Sequence, residues 1–150
     1  MCFVCTGNIC RSPMAETVFV DALRREGLAH RVRVSSAGTG AWHVGEPADS
    51  RTAQALRRAG YTCKHVAAQV GAEHLSADLL VALDYGHLAA LRRLVRDPER
   101  VRLLRSFDQT AGRDLDVPDP YYGGEHGFDD VLNMVRATIP GLLAWVREQL

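Results

Sequence analysis

Cys5-Thr6-Gly7-Asn8-Ile9-Cys10-Arg11-Ser12-Pro13 is the stretch that decides the fold of this 150-residue chain. An apolar run, Cys2-Phe3-Val4, precedes it and predicts a β-strand. The stretch ends on a serine suited to cap a helix and a proline suited to the first helical position. Gly7 and Asn8 tolerate unusual backbone angles. We therefore expect a tight loop between a first strand and a first helix.

A loop of this kind is suited to bind phosphate. It turns backbone N–H groups inward, and the helix amino terminus adds about half a positive charge. Arg11 supplies a planar fork that matches two phosphate oxygens. The thiol of Cys5, in the middle of this cradle, should be ionised and aimed at the bound oxyanion. The stretch thus predicts a cysteine nucleophile that faces a phosphate.

The composition limits the classes of protein. Lys and Arg number 18, as do Asp and Glu, so the formal net charge is zero and nothing favours a nucleic-acid partner. The length predicts one domain over residues 1–150. The longest clean apolar run, Leu79–Leu83, is far shorter than a membrane span. Without a signal-peptide pattern at the start, we expect a cytoplasmic monomer with no membrane partner, and secretion by another route stays open.

Strand-like and helix-like segments alternate along the chain. After the strand at Cys2–Val4, a helix opens at Ser12 and stops at Gly27, and a second strand runs through Val32 and Val34 and ends at Ser36–Gly38. A helix over Ala48–Ala59, a strand over Leu79–Leu83 and a helix containing Leu88, Leu91, Leu94 and Val95 follow. The last elements are a strand over Val101–Leu104 and a helix through Phe128 and Val135, which Pro140 separates from a final turn or short helix. This order predicts an α/β fold: a four-stranded parallel sheet with helices on both faces. The phosphate-binding loop then lies at the carboxyl end of the first strand, where such sheets bind ligands.

Cys2 and Cys5 have the C-x-x-C spacing of metal and redox sites. Residues three apart in a strand lie about 10 Å apart and point to opposite faces, beyond the reach of a disulfide. No second pair of ligands with zinc-like spacing follows. We therefore expect Cys2 to be a core residue, and we expect no metal and no cofactor.

A calcium loop is also excluded. Asp114, Asp116, Asp119 and Glu125 span the length of such a loop. However, Pro118 and Asp119 occupy the positions that need a ligand and a glycine.

The spacing of Cys5 and Arg11-Ser12 resembles the signature of the protein tyrosine phosphatases, and the fuller string resembles their low-molecular-weight branch as found in actinobacteria. The likeness covers essentially the whole chain. It continues, in the family's order, with Ser36-Ala37-Gly38-Thr39-Gly40, Trp42 and Asp119-Pro120-Tyr121-Tyr122-Gly123. The resemblance implies hydrolysis of phosphotyrosine in proteins through a cysteinyl-phosphate intermediate, without a metal.

The resemblance also implies catalytic roles. Cys5 is the nucleophile, Arg11 the phosphate clamp and Asp119 the general acid and base. A tyrosyl leaving group has a pKa of about 10, so a positioned proton donor helps it depart. Ser12 would hydrogen-bond the thiolate and help it leave in the second step. An aromatic wall suits a flat phenyl phosphate, and by family position it consists of Trp42, Tyr121 and Tyr122.

Further residues are implied to bind phosphate or support the loop. They are Thr6, Gly7, Asn8, Ile9 and Cys10 in the loop itself, and Ser36 and His65, to which the family ties the asparagine side chain. Cys10 either traps an oxidised Cys5 as a reversible disulfide or is a small core residue, and both alternatives stay open. Cys63 is interpreted as structural. The expected partners are phosphotyrosine-containing proteins and a tyrosine kinase acting on Tyr121 or Tyr122.

Three other functions compete with this one. A thioredoxin-linked arsenate reductase shares the loop but relays oxidation through two further cysteines, whereas only Cys63 lies outside the N-terminal region here. A non-catalytic phosphotyrosine-binding or redox-sensing module would be expected to lack Cys5, Arg11 or Asp119. A phosphocysteine carrier would need neither Arg11 nor Asp119. The phosphatase is the function that uses Cys5, Arg11 and Asp119 together.

Overall fold

One parallel sheet of four short strands organises the chain. The computed structural model describes residues 1–124 and 126–150, so Glu125 of the rejected calcium loop lies outside the described residues. The strands are β1 (Cys2–Cys5), β2 (Ser35–Gly38), β3 (Leu80–Ala82) and β4 (Val101–Leu103). Their order is β2-β1-β3-β4, and every pairing is parallel. The predicted four-stranded parallel sheet is confirmed, with β1 inside it.

Helices cover both faces of this sheet. They are α1 (Arg11–Arg25), α2 (Ser50–Arg58), α3 (Ala72–Leu75), α4 (Tyr85–Arg92) and α5 (Gly127–Gln149), with short 3-10 turns at Ala29–Arg31, Pro98–Arg100 and Leu104–Phe107. On one face Phe3 and Cys5 pack in a large buried cluster with residues of α1, α2 and α5. On the other, Cys2 and Val4 pack with residues of β3, β4 and α4. Because successive strand residues point to opposite faces, Cys2 is a core residue that faces away from Cys5.

The second strand begins later than predicted. Val32 and Val34 precede it, and both are only partly buried at the edge of the large cluster. The reason is pairing. Among the four strands β2 pairs only with β1, and Cys2 is opposite Ser35 at the first position of both strands. The interpretation of Val32 and Val34 as strand residues is therefore wrong, and the strand consists of Ser35–Gly38.

The last helix runs unbroken through Pro140, so the predicted separation there is wrong. Proline lacks the N–H that a helix interior needs. Val135 and Leu142, on either side of it, are fully buried against the core, and this burial outweighs the missing hydrogen bond. Next to the proline, Gly141 passes so close to the carbonyl of Phe107 that a side chain would not fit. The helix is thus held by its packing.

Other boundaries shift by a few residues. Helix α2 begins at Ser50 because the side chain of Asp49 accepts the N–H of Arg51 and caps it. Helix α4 ends at Arg92, which leaves Leu94 beyond it and mostly exposed. Gly27, with a φ of 70°, follows the end of α1 as predicted. In the part of the chain that the structure describes, no helix is both long and apolar enough to cross a membrane.

Candidate active site

The stretch Cys5–Pro13 runs from the last residue of β1 through a loop into the first turn of α1. Helix α1 begins at Arg11, and no side chain of the described residues caps it. The prediction that Ser12 is the N-cap and Pro13 the first helical residue is therefore wrong. The hydroxyl of Ser12 is used elsewhere. Its Oγ lies 2.9 Å from the Sγ of Cys5 and accepts a hydrogen bond from the side-chain amide of Asn8 at 2.7 Å. Ser12 therefore faces the thiol from the first turn of the helix.

Four carbonyls of the loop point outward, each to a group in another segment. The bonds are Thr39 N–H to Cys5 O (2.9 Å), Gly40 N–H to Thr6 O (3.0 Å), His65 Nε2–H to Asn8 O (2.6 Å) and Asp49 N–H to Ile9 O (2.9 Å). In a trans peptide the N–H of the next residue points the opposite way. The N–H groups of Thr6, Gly7, Ile9 and Cys10 therefore point into the loop. Such a concave set of N–H groups binds anions.

Asn8 holds the loop in shape from below. It is fully buried, and its φ of 56° lies in the left-handed region. Its side chain donates to Ser36 at 3.0 Å as well as to Ser12, and accepts from the N–H of Ala68 at 2.9 Å. His65 contacts the backbone carbonyl of Asn8 rather than its side chain. The asparagine thus joins the loop, α1 and β2.

Gly7 has a different role from the one predicted. Its φ lies outside the left-handed region, so Asn8 uses the backbone angles that both residues tolerate and Gly7 does not. A Cβ at Gly7 would instead lie 3.0 Å from the ring of His43. The glycine therefore allows the imidazole to approach the loop closely.

Arg11 is buried along one edge of the loop. Its Nη1 donates to Asp84 at 2.9 Å and to the carbonyl of Val117 at 3.0 Å. Its Nη2 makes longer contacts, 3.4 Å to the hydroxyl of Thr6 and 3.7 Å to the carboxylate of Asp119. One side of the guanidinium is thus fixed to the protein, and the other lies on the side of the loop and Asp119.

Asp84 supplies the negative charge beside Arg11. Burial by itself would raise the pKa of this carboxyl, but the N–H of His87 and the positive charge of Arg11 together hold the pKa below its ordinary value. Asp84 is therefore ionised at neutral pH. It compensates the charge of the buried guanidinium.

A cavity of about 460 Å³ opens above the loop. Its floor contains Cys5, which is 2% exposed. The lining residues are Cys5, Thr6, Gly7, Ile9, Cys10, Arg11, Trp42, His43, Asp119, Tyr121 and Tyr122. The structure thus brings the three predicted catalytic residues and the three predicted wall residues around one cavity. Asn8, Ser12, Ser36 and His65 lie behind the loop instead.

Asp119 lies on the rim of this cavity. Its side chain is about half exposed, and one carboxylate oxygen accepts the N–H of Tyr121 at 3.0 Å. The other oxygen is the one that faces Arg11. These two contacts orient the carboxylate of Asp119 towards the loop, while its side chain stays open to solvent.

The aromatic residues form the mouth of the cavity. Trp42 and Tyr122 are 74% and 90% exposed. The ring of Trp42 occupies the space that a side chain at Gly40 would need. The rings of Tyr121 and Tyr122 meet edge to face, with centroids 4.8 Å apart.

Arg51 holds one side of this mouth. Its guanidinium lies 5.2 Å from the ring centre of Tyr121, and it donates to the carbonyl of Tyr121 at 3.0 Å. Asp49, which caps α2, accepts from Arg51 through both carboxylate oxygens. The segment after Asp119 is thus attached to the start of α2.

The sequence motifs do not point to three residues around the site: Asp84, His87 and His43. Asp84 lies two residues after the end of β3, at the edge of the sheet where parallel strands bind ligands, so its position is the signal that could have found it. His43 lies next to Trp42. No comparable signal marks His87, which occurs inside an ordinary helix.

The cysteines are free thiols. Burial raises the pKa of Cys10 to about 12. Burial also raises the pKa of Cys63, whose Sγ contacts the hydroxyl of Thr17. Among residues 1–124 and 126–150, the structure groups no three His, Cys, Asp or Glu side chains in a way that could hold a metal ion.

The comparisons with known proteins show the family of this chain. The family described as low molecular weight phosphotyrosine protein phosphatase matches residues 1–150. The low molecular weight protein-tyrosine phosphatase A of Mycobacterium tuberculosis is 58% identical over 149 residues, which cover 99% of this chain and 91% of that one. The low molecular weight protein-tyrosine-phosphatase of Streptomyces coelicolor is 59% identical over 154 residues, which cover 99% and 94%.

A solved structure shows the same fold. The protein tyrosine phosphatase of Entamoeba histolytica superposes with a TM-score of 0.93 at 31% identity, covering 99% of this chain and 96% of that chain. The fold and the family match together define the class, which is that of the protein tyrosine phosphatases. The chain belongs to the low-molecular-weight phosphotyrosine protein phosphatase family. It is a hydrolase, and the resemblance to this family is confirmed.

Proposed function

We propose that this enzyme hydrolyses phosphotyrosine in proteins with Cys5 as nucleophile, Arg11 as phosphate clamp and Asp119 as general acid and base. The observation that supports this assignment best is the position of the Cys5 thiol. It lies at the floor of a loop whose N–H groups point inward, and Arg11 lies along the edge of that loop. A phosphate in the loop would have its phosphorus above the sulfur.

In the first step, the Cys5 thiolate attacks phosphorus and the bond to the tyrosyl oxygen breaks. Asp119 gives its proton to the departing oxygen, so tyrosine leaves as a neutral phenol. The developing charge on the phosphoryl oxygens is stabilised by the loop N–H groups, the amino terminus of α1 and Arg11. The guanidinium of Arg11 and the loop N–H groups take the place of the positive charge that a metal would supply.

In the second step, water attacks the phosphocysteine. Asp119, now ionised, takes a proton from the water, and the sulfur leaves as thiolate. The hydroxyl of Ser12, 2.9 Å from that sulfur, donates a hydrogen bond to it as charge develops. The Asn8 amide orients Ser12 for this, because it donates to the same oxygen and leaves the hydroxyl proton for the sulfur.

The aromatic mouth supports a tyrosyl substrate. Phosphotyrosine places its phosphate several ångströms further from the backbone than phosphoserine does. A phenyl ring would pass between Trp42 and the two tyrosines while its phosphate reaches the floor. A serine side chain has no ring to stack there.

Turnover of a phosphotyrosyl peptide, compared with a phosphoseryl peptide of the same sequence, tests the function. We expect hydrolysis of the first only, with unchanged rates in the presence of a chelator, and competitive inhibition by vanadate. Loss of activity in chelator, restored by zinc or magnesium, would contradict the metal-free mechanism. Equal rates on both peptides would contradict the role of the aromatic mouth.

Redox control through Cys10 is a separate proposal about the same cavity. Peroxide would convert the Cys5 thiolate to a sulfenic acid, and the Cys10 thiol would displace water from it to form a disulfide. Both residues line the cavity, as this requires. Because burial raises the pKa of Cys10 to about 12, this capture should be slow.

We expect mild peroxide to inactivate the enzyme and dithiothreitol to restore it. Cys10→Ser should be fully active in reducing buffer but should lose this recovery, because its Cys5 oxidises further. Activity after treatment and a mass map of the cysteines are the measurements. Recovery equal to wild type in this variant would leave Cys10 as a packing residue.

A tyrosine kinase remains a proposed partner. Tyr122 is the more exposed of the two candidate acceptors, at 90% against 36% for Tyr121. The backbone of Tyr121 is also held by Arg51. We therefore propose Tyr122 as the acceptor that a kinase reaches first.

A further inference from the structure

His87 is a buried histidine beneath the edge of the phosphate-binding loop. It belongs to the first turn of α4 and is 5% exposed. Its Nε2 lies 2.8 Å from the hydroxyl of Thr6, which is the first loop residue after Cys5. The mechanism above assigns it no role, although it contacts Thr6 and Asp84, which both accept from the guanidinium of Arg11.

The direction of these hydrogen bonds follows from the surroundings of the ring. Its Nδ1 lies 3.1 Å from a carboxylate oxygen of Asp84, without hydrogen-bond alignment, and has no other partner among the described residues. A lone pair facing a carboxylate at this distance would be repelled, so we assign the proton to Nδ1. Nε2 is then an acceptor, and the hydroxyl of Thr6 donates to it.

The charge state of the ring agrees with this assignment. The pKa of His87 is lowered to about 4, mainly by burial and also by the positive charge of Arg11, although the carboxylates of Asp84, Asp119 and Asp116 act in the opposite direction. The imidazole is therefore neutral at neutral pH. A protonated ring would add a second positive charge beside Arg11 and would reverse the bond to Thr6.

With its proton turned towards His87, the Thr6 hydroxyl presents a lone pair to Arg11. Its oxygen lies 3.4 Å from Nη2, while Asp84 accepts from Nη1 at 2.9 Å. Asp84 in turn accepts the backbone N–H of His87 at 2.9 Å. His87 thus contacts one partner of each terminal nitrogen of the guanidinium, Asp84 at Nη1 and Thr6 at Nη2.

We propose that His87 is a positioning residue for phosphate binding, acting on the orientation of the Arg11 guanidinium through Thr6 and Asp84. The proposal rests on the proposed role of Arg11 in binding phosphate. It adds that the proton of the Thr6 hydroxyl must point away from Arg11. The uncharged ring of His87 in α4 keeps it there, because Nε2 accepts that proton. The N–H groups of the loop cannot orient the guanidinium, because they face the phosphate site and not Arg11.

Four variants test this assignment through the affinity for inorganic phosphate and for vanadate. His87→Gln places an uncharged acceptor near the position of Nε2, whereas His87→Phe fills the volume without one. Thr6→Val removes the hydroxyl at an exposed loop position, and the double variant combines Thr6→Val with His87→Phe. His74→Gln in α3 is the matched control, because this partly buried histidine is hydrogen-bonded to Gly71 away from the cavity.

We expect His87→Phe and Thr6→Val each to weaken phosphate binding by about 10-fold, the worth of one hydrogen bond. The double variant should lose little more than either single one, since both remove the same contact. His87→Gln should bind within about two-fold of wild type, and so should the control. If His87→Phe does not fold, Thr6→Val and His87→Gln still give the comparison.

Additive losses in the double variant would overturn the proposal, and so would unchanged phosphate binding by Thr6→Val. A loss in His87→Gln as large as that in His87→Phe would assign His87 to packing. Phosphate binding is measured without turnover, so failure of the proposed catalytic mechanism is detected separately, by the activity of wild type on a phosphotyrosyl peptide.

Discussion

Cys5→Ser should reduce the turnover of aryl phosphates to the background rate while the protein still folds and binds phosphate. A serine hydroxyl stays protonated at neutral pH and is a poor nucleophile without an adjacent base. The phosphate contacts are unaffected, because they come from backbone N–H groups and Arg11. The exchange of sulfur for oxygen also preserves the hydrogen bond to Ser12.

The measurements are the rate with an aryl phosphate and the affinity for inorganic phosphate, with thermal unfolding as the check on folding. Cys63→Ser is the matched control, since that thiol contacts Thr17 and lies away from the cavity. It should keep the wild-type rate. Turnover by Cys5→Ser above a trace would show that the reaction does not pass through a phosphocysteine.

Asp119→Asn should lower kcat by about 10²–10⁴ for a phosphotyrosyl substrate, the usual effect of losing a positioned general acid. Asparagine has the same shape and can still accept the N–H of Tyr121, so the loop should remain in place. It cannot give a proton to a tyrosyl oxygen. The loss should shrink for an aryl phosphate whose phenol is acidic and leaves without a proton.

A series of aryl phosphates with leaving groups of increasing acidity checks this expectation. Asp114→Asn is the matched control, because Asp114 lies in the same segment and its side chain accepts only a local N–H. For Asp114→Asn, the rate relative to wild type should be the same for every leaving group. A loss that is the same for every leaving group in Asp119→Asn would make Asp119 a structural residue.

Much of the fold was predictable because strands and helices alternate with clear periodicity. Phe3 and Val4 place apolar side chains on both faces of β1, as expected of a strand inside a parallel sheet. The end of β1 and the start of α1 follow from contiguous residues, so the loop around Cys5 was predictable as well. Errors occurred where tertiary contacts override local preference. Pro140 remains helical because its neighbours are buried, and Ser12 does not cap α1 because its hydroxyl faces the thiol.

Residues that enter the site singly from distant segments could not be predicted in the same way. Asp84 and His87 lie about eighty residues after the loop, and neither belongs to a motif. Their importance arises from parallel pairing, since β3 lies beside β1 and the start of α4 therefore lies beside Arg11. A sequence indicates which residues can form a loop. It does not indicate which side chains will orient that loop from outside.

The four outward carbonyls of the loop determine whether the same nine residues would bind phosphate in another protein. Their partners, Thr39, Gly40, Asp49 and His65, come from three separate stretches of chain, and none belongs to the quoted sequence. Moved to another strand–helix junction, the same nine residues would lack these donors, and their carbonyls would be free to turn inward and repel an anion. The motif is thus not a module that can be transplanted. The unit that can be inherited or engineered as a phosphate site is the whole sheet edge together with its surrounding loops.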